Sequence, residues 1–156
     1  MQKADDVRIV EYQDVHQRAF KALNVEWIRQ HWELEAADYE ILDNPREYVL
    51  EKQGHIFIAV LGEHVVGTCA LLKMPDDSYE LAKMAVAESA RGQGVGNRLG
   101  LRVIEQAKAL NAIRIFLESN TILDPAIALY RKLGFKEIVG QDSPYERCNI
   151  QMELRL

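Results

Sequence analysis

Glycines crowd the start of one predicted helix in a pattern that suits phosphate binding. The stretch from Ala90 to Leu101 reads ARGQGVGNRLGL, with glycine at 92, 94, 96 and 100. A helix N-terminus presents unpaired backbone N–H groups and partial positive charge, and glycine lets an anion approach them without an intervening Cβ. Arg91 and Arg98 could add positive charge. The loop therefore predicts a pyrophosphate site, with a ligand-free glycine-rich turn as the alternative, whereas Gly100 lies inside the helix, where packing is favoured.

Two common phosphate motifs do not fit this loop. A P-loop requires G-x-x-x-x-G-K-[ST], and no lysine follows a suitably spaced glycine here. The dinucleotide pattern G-x-G-x-x-G ends on Asn97 when it starts at Gly92, and on Leu99 when it starts at Gly94. The pattern that does fit is R-x-x-G-x-G, from Arg91 to Gly96.

The elements around the loop predict a mixed α/β sheet. Before the loop, Asp14 could cap a helix whose apolar residues recur at helical spacing. Apolar runs flanking Gly62-Glu63 read as a hairpin. After the loop, Asp124 and Gly134 could cap another helix. In chain order, the pattern predicts strand 7–12, a helix carrying Val15, Phe20, Leu23, Trp27 and Ile28, one or two short helices in 32–53 broken at Asn44-Pro45, the hairpin, strand 78–87, a helix carrying Val95, Leu99, Val103, Ala107 and Leu110, strand 113–118, helix 125–133, and two closing strands in 135–140 and 147–156.

Bulk properties narrow the class of protein. The chain has 156 residues, 28% of them charged, and a net charge of -5. This size predicts one domain, and the negative charge argues against binding nucleic acid through phosphate neutralisation. Cys69 and Cys148 lack the spacing of a zinc site or a disulfide framework, and the histidines are scattered, so no metal is expected. No apolar run approaches the length of a membrane span. We expect a cytoplasmic protein without membrane or nucleic-acid partners.

The R-x-x-G-x-G loop in its context resembles the pyrophosphate loop of the GCN5-related N-acetyltransferase (GNAT) superfamily. ELAKMAV precedes it as the family's fourth strand would, and ALYRKLGF follows where the family places a helix. The resemblance covers essentially the whole chain, 1–156, as a single domain, and further phrases such as FKALNVEWI resemble a bacterial subgroup of small-molecule acetyltransferases. It implies a mostly antiparallel sheet of about seven strands, with helices on both faces and a splayed central strand pair.

The resemblance also implies functional residues. Tyr130 matches the tyrosine that protonates the departing thiolate, with a packed core ring as the alternative. Along the strand 78–87, the larger apolar residues Leu81, Met84 and Val86 include a step of three that breaks strict alternation, and a β-bulge near Lys83 or Met84 would reconcile it. In the family, such a bulge leaves main-chain groups around Met84–Val86 free to pair with the pantetheine arm. Glu80 and Glu118 are candidates for the base, with Glu80 equally readable as an exposed strand carboxylate. The cofactor-binding residues implied for acetyl-CoA are Met84, Ala85, Val86, Arg91, Gly92, Gln93, Gly94, Val95, Gly96, Asn97, Asn120 and Tyr130.

The acceptor side would be built from the first helix, the 32–53 segment and the 140–147 loop. Trp27, Glu80, Tyr145 and Arg147 are the substrate-binding candidates. Arg147 could bind a substrate carboxylate in bidentate fashion or form a surface salt bridge. The acidic residues Glu33, Glu35, Asp38, Glu40 and Asp43 could attract a cationic amine, although a solvated surface is the favoured interpretation.

The function implied is transfer of an acetyl group from acetyl-CoA to the amine of a small molecule, by direct attack in a ternary complex. Two alternatives stay open: an acetyltransferase acting on a lysine or N-terminus of a protein, and a non-catalytic acyl-CoA-binding sensor. Relatives often dimerise through their later strands, so a homodimer is a further prediction.

Overall fold

The computed structural model describes residues 6–140 and 142–156, so Gln141 of the predicted acceptor loop and residues 1–5 lie outside the description. Short 3-10 turns occur at Asp14–His16, Leu50–Lys52 and Glu88–Ala90. The main elements are β1 Val7–Glu11, α1 Gln17–Arg29, α2 Ala36–Asp43, α3 Pro45–Tyr48, β2 His55–Leu61, β3 His64–Lys73, β4 Ser78–Val86, α4 Val95–Ala109, β5 Arg114–Ser119, α5 Asp124–Leu133, β6 Lys136–Ile138 and β7 Ile150–Arg155.

The strands form a 7-stranded sheet in the order β1-β2-β3-β4-β5-β7-β6. The pairings are antiparallel except that between β4 and β5, which is parallel. The predicted mixed, mostly antiparallel sheet with flanking helices is therefore confirmed.

Both faces of the sheet are covered, as the unbroken apolar run of β2 indicates. Because side chains alternate along a strand, Phe57 and Ala59 face one core while Ile56 and Ile58 face the other. The first core contains Leu99 and other residues of α4 and α5. The second contains residues of α1, α2 and the segment after them, including Phe20, Leu42 and Val49.

A β-bulge in β4 parts the centre of the sheet. Between the pairs Thr68–Ala85 and Ala70–Ala82, Cys69 of β3 faces both Lys83 and Met84 of β4. Lys83 has a φ of 52°. This left-handed conformation costs a non-glycine residue roughly 1–2 kcal/mol. On the other side, β4 pairs with β5 only over Ser78–Glu80. The predicted bulge and splayed strand pair are both present.

A buried polar chain fixes this bulge from the α1 side. The Asn24 Nδ2 group donates to the Thr68 hydroxyl at 3.2 Å, and that hydroxyl donates to the Lys83 carbonyl at 3.2 Å. Asn24 and Thr68 are 2% and 0% exposed, so neither could turn to water instead. Thr68 therefore satisfies a carbonyl that the irregular ladder leaves to a side chain.

Two predicted helix caps were wrong. Gln13, not Asp14, holds the N-cap position of the first turn, and Asp14 instead forms an exposed ion pair with Arg46. Val15 lies on this turn before α1 and is 80% exposed, so it does not belong to the apolar stripe. Asp124 is the first residue of α5, and Leu123 holds the cap position without a side-chain hydrogen bond. The N-cap of α1 itself is His16, two residues after the predicted one, whereas that of α5 lies one residue before it.

Replacing Thr68 with valine should destabilise the fold by about 1–3 kcal/mol, because the Lys83 carbonyl and the Asn24 amide each lose a buried partner. Denaturant unfolding measures the change. Thr121→Val is the matched control, since Thr121 is exposed. Surface substitutions of this kind usually change stability by less than about 0.5 kcal/mol. Equal stability of the two variants would contradict the role assigned to Thr68.

Candidate active site

A cleft opens where β4 and β5 separate, and it brings together residues from distant parts of the chain. Its floor is formed by β4 around the bulge and by the end of β5. Side chains from α1, α5 and the segment before β7 complete the walls. The residues that line it include Asn24, Trp27, Trp32, Glu80, Lys83, Met84, Glu118, Asn120, Tyr130, Tyr145, Arg147 and Cys148.

The glycine loop enters α4 with its backbone open to solvent. Gly92 and Gly94 have φ values of 77° and 83°, and Gly94 is the N-cap of α4. A Cβ built on either residue would have no heavy atom within 4 Å, so the space above the first turn of α4 is free. The residues therefore fit a pyrophosphate. By contrast, a Cβ on Gly96 or Gly100 would meet Leu129 or Leu133, at 3.2 and 2.6 Å respectively, as expected of packing glycines.

Arg91 is engaged by the protein rather than extended towards that space. Its Nε donates to the Val86 carbonyl at 3.1 Å, and its guanidinium lies 5.2 Å from the centre of the Trp27 ring. Glu26 lies 3.7 Å from Arg91 Nη2. These contacts join the end of β4 to α1, and a phosphate contact by Arg91 stays a prediction.

Tyr130 lies on the α4 side of the cleft. Its ring belongs to that core and meets Phe135 edge-on at 6.1 Å, while the residue also lines the cleft. Burial, with a smaller effect of Cys69, raises the pKa of Tyr130. The phenol therefore stays protonated at neutral pH. The two sequence interpretations, packed ring and proton donor, are thus compatible in one residue.

Glu80 and Glu118 lie together on the opposite face. Tyr79, Leu81 and Leu117 point into the α4 core, so alternation directs Glu80 and Glu118 towards the α1 side. Burial and repulsion from Glu118 raise the pKa of Glu80 to about 7, although Lys83 opposes the shift. Glu118 accepts hydrogen bonds from Ser143 Oγ and Gln151 Nε2, each at 3.0 Å.

A buried ion cluster forms the back wall of the acceptor side. Asp38 receives Lys83 Nζ at 2.6 Å and both terminal nitrogens of Arg147 at 2.7 and 2.8 Å, and Arg147 also contacts Glu35 at 3.0 Å. The Asp38 and Lys83 side chains are 0% and 5% exposed. Burial alone would raise the pKa of Asp38, but Arg147 and Lys83 lower it to about 2.

This cluster corrects the interpretation of the acidic segment. Glu33, Glu40 and Asp43 are exposed, but Asp38 is completely buried and Glu35 is half-buried, so a solvated surface was wrong for these two. Arg147 forms its ion pairs with a side chain that is 16% exposed, so its salt bridge is largely buried rather than at the surface. The carboxylate it holds in bidentate fashion is Asp38, because α2 places that residue directly behind the β4 bulge.

Two other predicted residues hold the walls of the cleft. Asn120 donates to the Arg147 carbonyl at 2.7 Å and accepts from the Ile122 N–H, so its amide fixes the segment before β7, while its contact with a cofactor stays a prediction. The Tyr145 hydroxyl receives Lys83 Nζ at 3.1 Å, and its ring faces the Arg147 guanidinium. Trp27 lines the cleft as expected.

Lys83 and Asp38 are the site residues that sequence reasoning missed. The broken alternation of β4 located the bulge, but it did not indicate that Lys83 would point inwards. The signal available was a lysine within an otherwise apolar strand and an acidic residue at a helical position facing the core. Nothing in the sequence joined the two, because 45 residues separate them.

The described residues contain no group of three or more His, Cys, Asp or Glu side chains that could hold a metal. Nor does any helix within 6–140 and 142–156 have the length and apolar character needed to cross a membrane.

Comparison with known proteins agrees with this geometry. Residues 14–135 match the model of the Acetyltransferase (GNAT) family. The uncharacterized N-acetyltransferase YjgM of Escherichia coli is 36% identical over 94 residues, which are 58% of this chain and 56% of YjgM. The N-acetylaspartate synthetase of Danio rerio is 37% identical over 100 residues, 63% of this chain and 35% of the synthetase. The chain therefore spans about half, or less, of these relatives' lengths.

A solved structure shares the whole fold. The acetyltransferase of Bacillus subtilis in complex with CoA is 25% identical and superposes with a TM-score of 0.74, over 96% of this chain and 99% of that one. The chain belongs to the GNAT family of acetyltransferases, as its sequence predicted.

Replacing Asp38 with asparagine should destabilise the protein by about 3–5 kcal/mol, since Lys83 and Arg147 would stay buried without their shared counter-charge. Thermal or denaturant unfolding measures the loss. The control Asp43→Asn breaks only an exposed pair with Lys21. Its effect should be below about 1 kcal/mol, as is usual for exposed ion pairs.

The loss of stability in Asp38→Asn should also depend on pH. Folding lowers the pKa of Asp38 from 3.8 to about 2. The contribution of this carboxylate is therefore complete above the unfolded-state pKa and disappears as pH falls through the folded-state value. The stability difference between wild type and Asp38→Asn should shrink over that interval. A difference that does not depend on pH would contradict the assignment.

Proposed function

We propose that the protein is an acetyl-CoA-dependent N-acetyltransferase that acts on the amine of a small molecule. The observation that carries the proposal is the placement of Tyr130 and Glu80 on opposite faces of one gap in the sheet, beside an open glycine loop. A proton donor and a proton acceptor can thus reach the two sides of a single reacting group.

The cofactor half of the cleft is assigned to the loop and the end of β4. The backbone N–H groups of 92–97, with the dipole of α4, would hold the pyrophosphate. The β5-facing edge of Met84–Val86 has no strand partner among the described residues, so its main-chain groups can pair with the amides of the pantetheine arm. Acetyl-CoA supplies the activated acyl group as a thioester.

The chemistry assigned to the chain is movement of two protons. Glu80 has a pKa of about 7, which leaves it partly ionised at neutral pH, and it accepts the proton of the incoming amine, directly or through water. The nitrogen forms its bond to the acetyl carbon, and the carbon–sulfur bond breaks. Tyr130 donates a proton to the departing sulfur, and its raised pKa keeps that proton available until the thiolate forms.

A covered acceptor side supports a small molecule rather than a protein. Trp27 of α1 and Trp32 just after it line the cleft on one side, and Tyr145 and Arg147 line it from the segment before β7. The buried pair of Arg147 with Asp38 joins that segment to α2 and would keep the cover in place. A protein acetyltransferase would instead need an open groove for an extended chain.

Gly94→Glu should abolish acetyl-CoA binding in calorimetric titration, because the new carboxylate occupies the open space at the α4 N-terminus and repels phosphate. Gly62→Glu is the matched control: Gly62 also has a positive φ, 63°, but lies in the β2–β3 turn, so it reproduces the backbone strain alone. Absence of binding to folded wild type, or equal loss in both variants, would contradict the loop assignment.

Tyr130→Phe and Glu80→Gln should each lower kcat by about 10²–10⁴-fold while acetyl-CoA still binds. In wild type, kcat/KM should rise as pH increases through about 7, where Glu80 loses its proton, and this limb should vanish in Glu80→Gln. Tyr39→Phe, at an exposed ring, serves as the control. Full activity in Tyr130→Phe would exclude Tyr130 as the proton donor. A wild-type protein that binds acetyl-CoA but shows no turnover would instead be the non-catalytic acyl-CoA-binding sensor.

A further inference from the structure

The charges around the acceptor side are unevenly paired. Both cations of the cleft, Lys83 and Arg147, are already matched by carboxylates of the protein, Asp38 and Glu35. These four side chains balance one another and leave no cation over. Glu80 and Glu118, in contrast, form no ion pair within 4.0 Å to any cation of residues 6–140 and 142–156.

The Glu118 carboxylate is nonetheless held in place. Ser143 and Gln151 each donate a hydrogen bond to one oxygen of Glu118, and both donors are neutral, so the carboxylate is oriented without being neutralised. Glu80 lies close enough for repulsion from Glu118 to contribute to its raised pKa. Lys83 attracts Glu80 but forms its ion pair with Asp38. An oriented Glu118 carboxylate with Glu80 beside it, both lining the cleft, therefore provides a position for a further positive charge.

A carboxylate on the acceptor molecule would find no unoccupied cation among the described residues that line the cleft. To reach a guanidinium it would have to compete with Asp38, which holds both terminal nitrogens of Arg147 from a fully buried position. Its own charge would also lie near Glu80 and Glu118. The cleft therefore disfavours anionic acceptors for two reasons: its cations are already paired with protein carboxylates, and Glu80 and Glu118 repel negative charge.

We propose that the acceptor is a small diamine or another amine with a second cationic group, which Glu118 binds while the amine to be acetylated lies at Glu80. This inference rests on the proposed acetyltransferase function and specifies its substrate class. Acidic acceptors, such as the one in the name N-acetylaspartate synthetase borne by a relative, are disfavoured here.

Three four-carbon acceptors test the proposal: 1,4-diaminobutane, butylamine and 4-aminobutyrate, whose distal ends are an ammonium, a methyl and a carboxylate group. Thiol release from acetyl-CoA gives kcat/KM for each, and the series is repeated with three- and five-carbon chains. The diamine should exceed the monoamine by roughly tenfold after correction for its two equivalent amines, as expected for a charged hydrogen bond. The amino acid should be the poorest, and added salt should narrow the differences.

Glu118→Gln separates charge from shape. In this variant the ratio of diamine to monoamine should fall towards one, and retained acetyl-CoA binding would show that the cleft is intact. Glu40→Gln, at an exposed carboxylate of α2, is the control and should keep the wild-type ratio.

The outcomes distinguish the two proposals. Similar kcat/KM values for all three acceptors, a preference for 4-aminobutyrate, or an unchanged ratio in Glu118→Gln would overturn the cationic acceptor while leaving acetyl transfer to small amines intact. Acetyl-CoA binding without acetylation at any chain length would overturn the small-amine function itself, and the acceptor inference with it.

Discussion

The left-handed conformation of Lys83 is the constraint on which the rest of the site depends. It inserts one extra residue into β4, turns the strand away from β5 and opens the sheet at its centre. A conformation this unfavourable persists only when its surroundings fix it. Here the Thr68 hydroxyl holds the carbonyl of Lys83, and Asp38 holds its ammonium group. Backbone strain and a buried ion pair thus meet in a single residue.

The opening makes the two faces of the sheet accessible to one reaction. A continuous sheet would separate Tyr130, in the α4 core, from Glu80 on the α1 side. Where β4 and β5 part, both residues line the same cleft. The parallel pairing between β4 and β5 covers only Ser78–Glu80, so Glu80 lies at the point along β4 where the gap begins. The position of Glu80, the proposed base, therefore follows from the last paired residues of the two strands.

The sequence predicted the parts of this architecture that depend on local rules. The apolar runs of β2 and β3, the helical spacing in α4 and the glycines before it indicated the sheet, the helices and the loop, and the step of three in β4 located the bulge. The cap predicted at Asp124 was one residue late, and the cap predicted at Asp14 missed a separate 3-10 turn that precedes α1. The residues that hold the cap positions, Gln13, His16 and Leu123, are not favoured capping residues, so local preference did not locate these helix ends.

The cluster of Asp38, Lys83 and Arg147 lies beyond such rules. It joins α2, β4 and the segment before β7, and composition allowed Asp38 to be read as surface charge. Pairing across such separations is decided by how the elements pack, so the sequence could propose a salt bridge for Arg147 but not that its partner would be the buried Asp38. For the same reason, the uncompensated charge of Glu80 and Glu118 could be recognised only after the cations had been matched to their partners.

A crystal structure of the protein with CoA tests the central claim most directly, because the account requires the ligand to pass through the gap between β4 and β5. The phosphates should lie on the backbone N–H groups of 92–97, the pantetheine arm along Met84–Val86, and the sulfur within hydrogen-bonding distance of the Tyr130 hydroxyl on the same gap that Glu80 faces. Phosphates bound away from this loop, or a sulfur remote from both side chains, would contradict it.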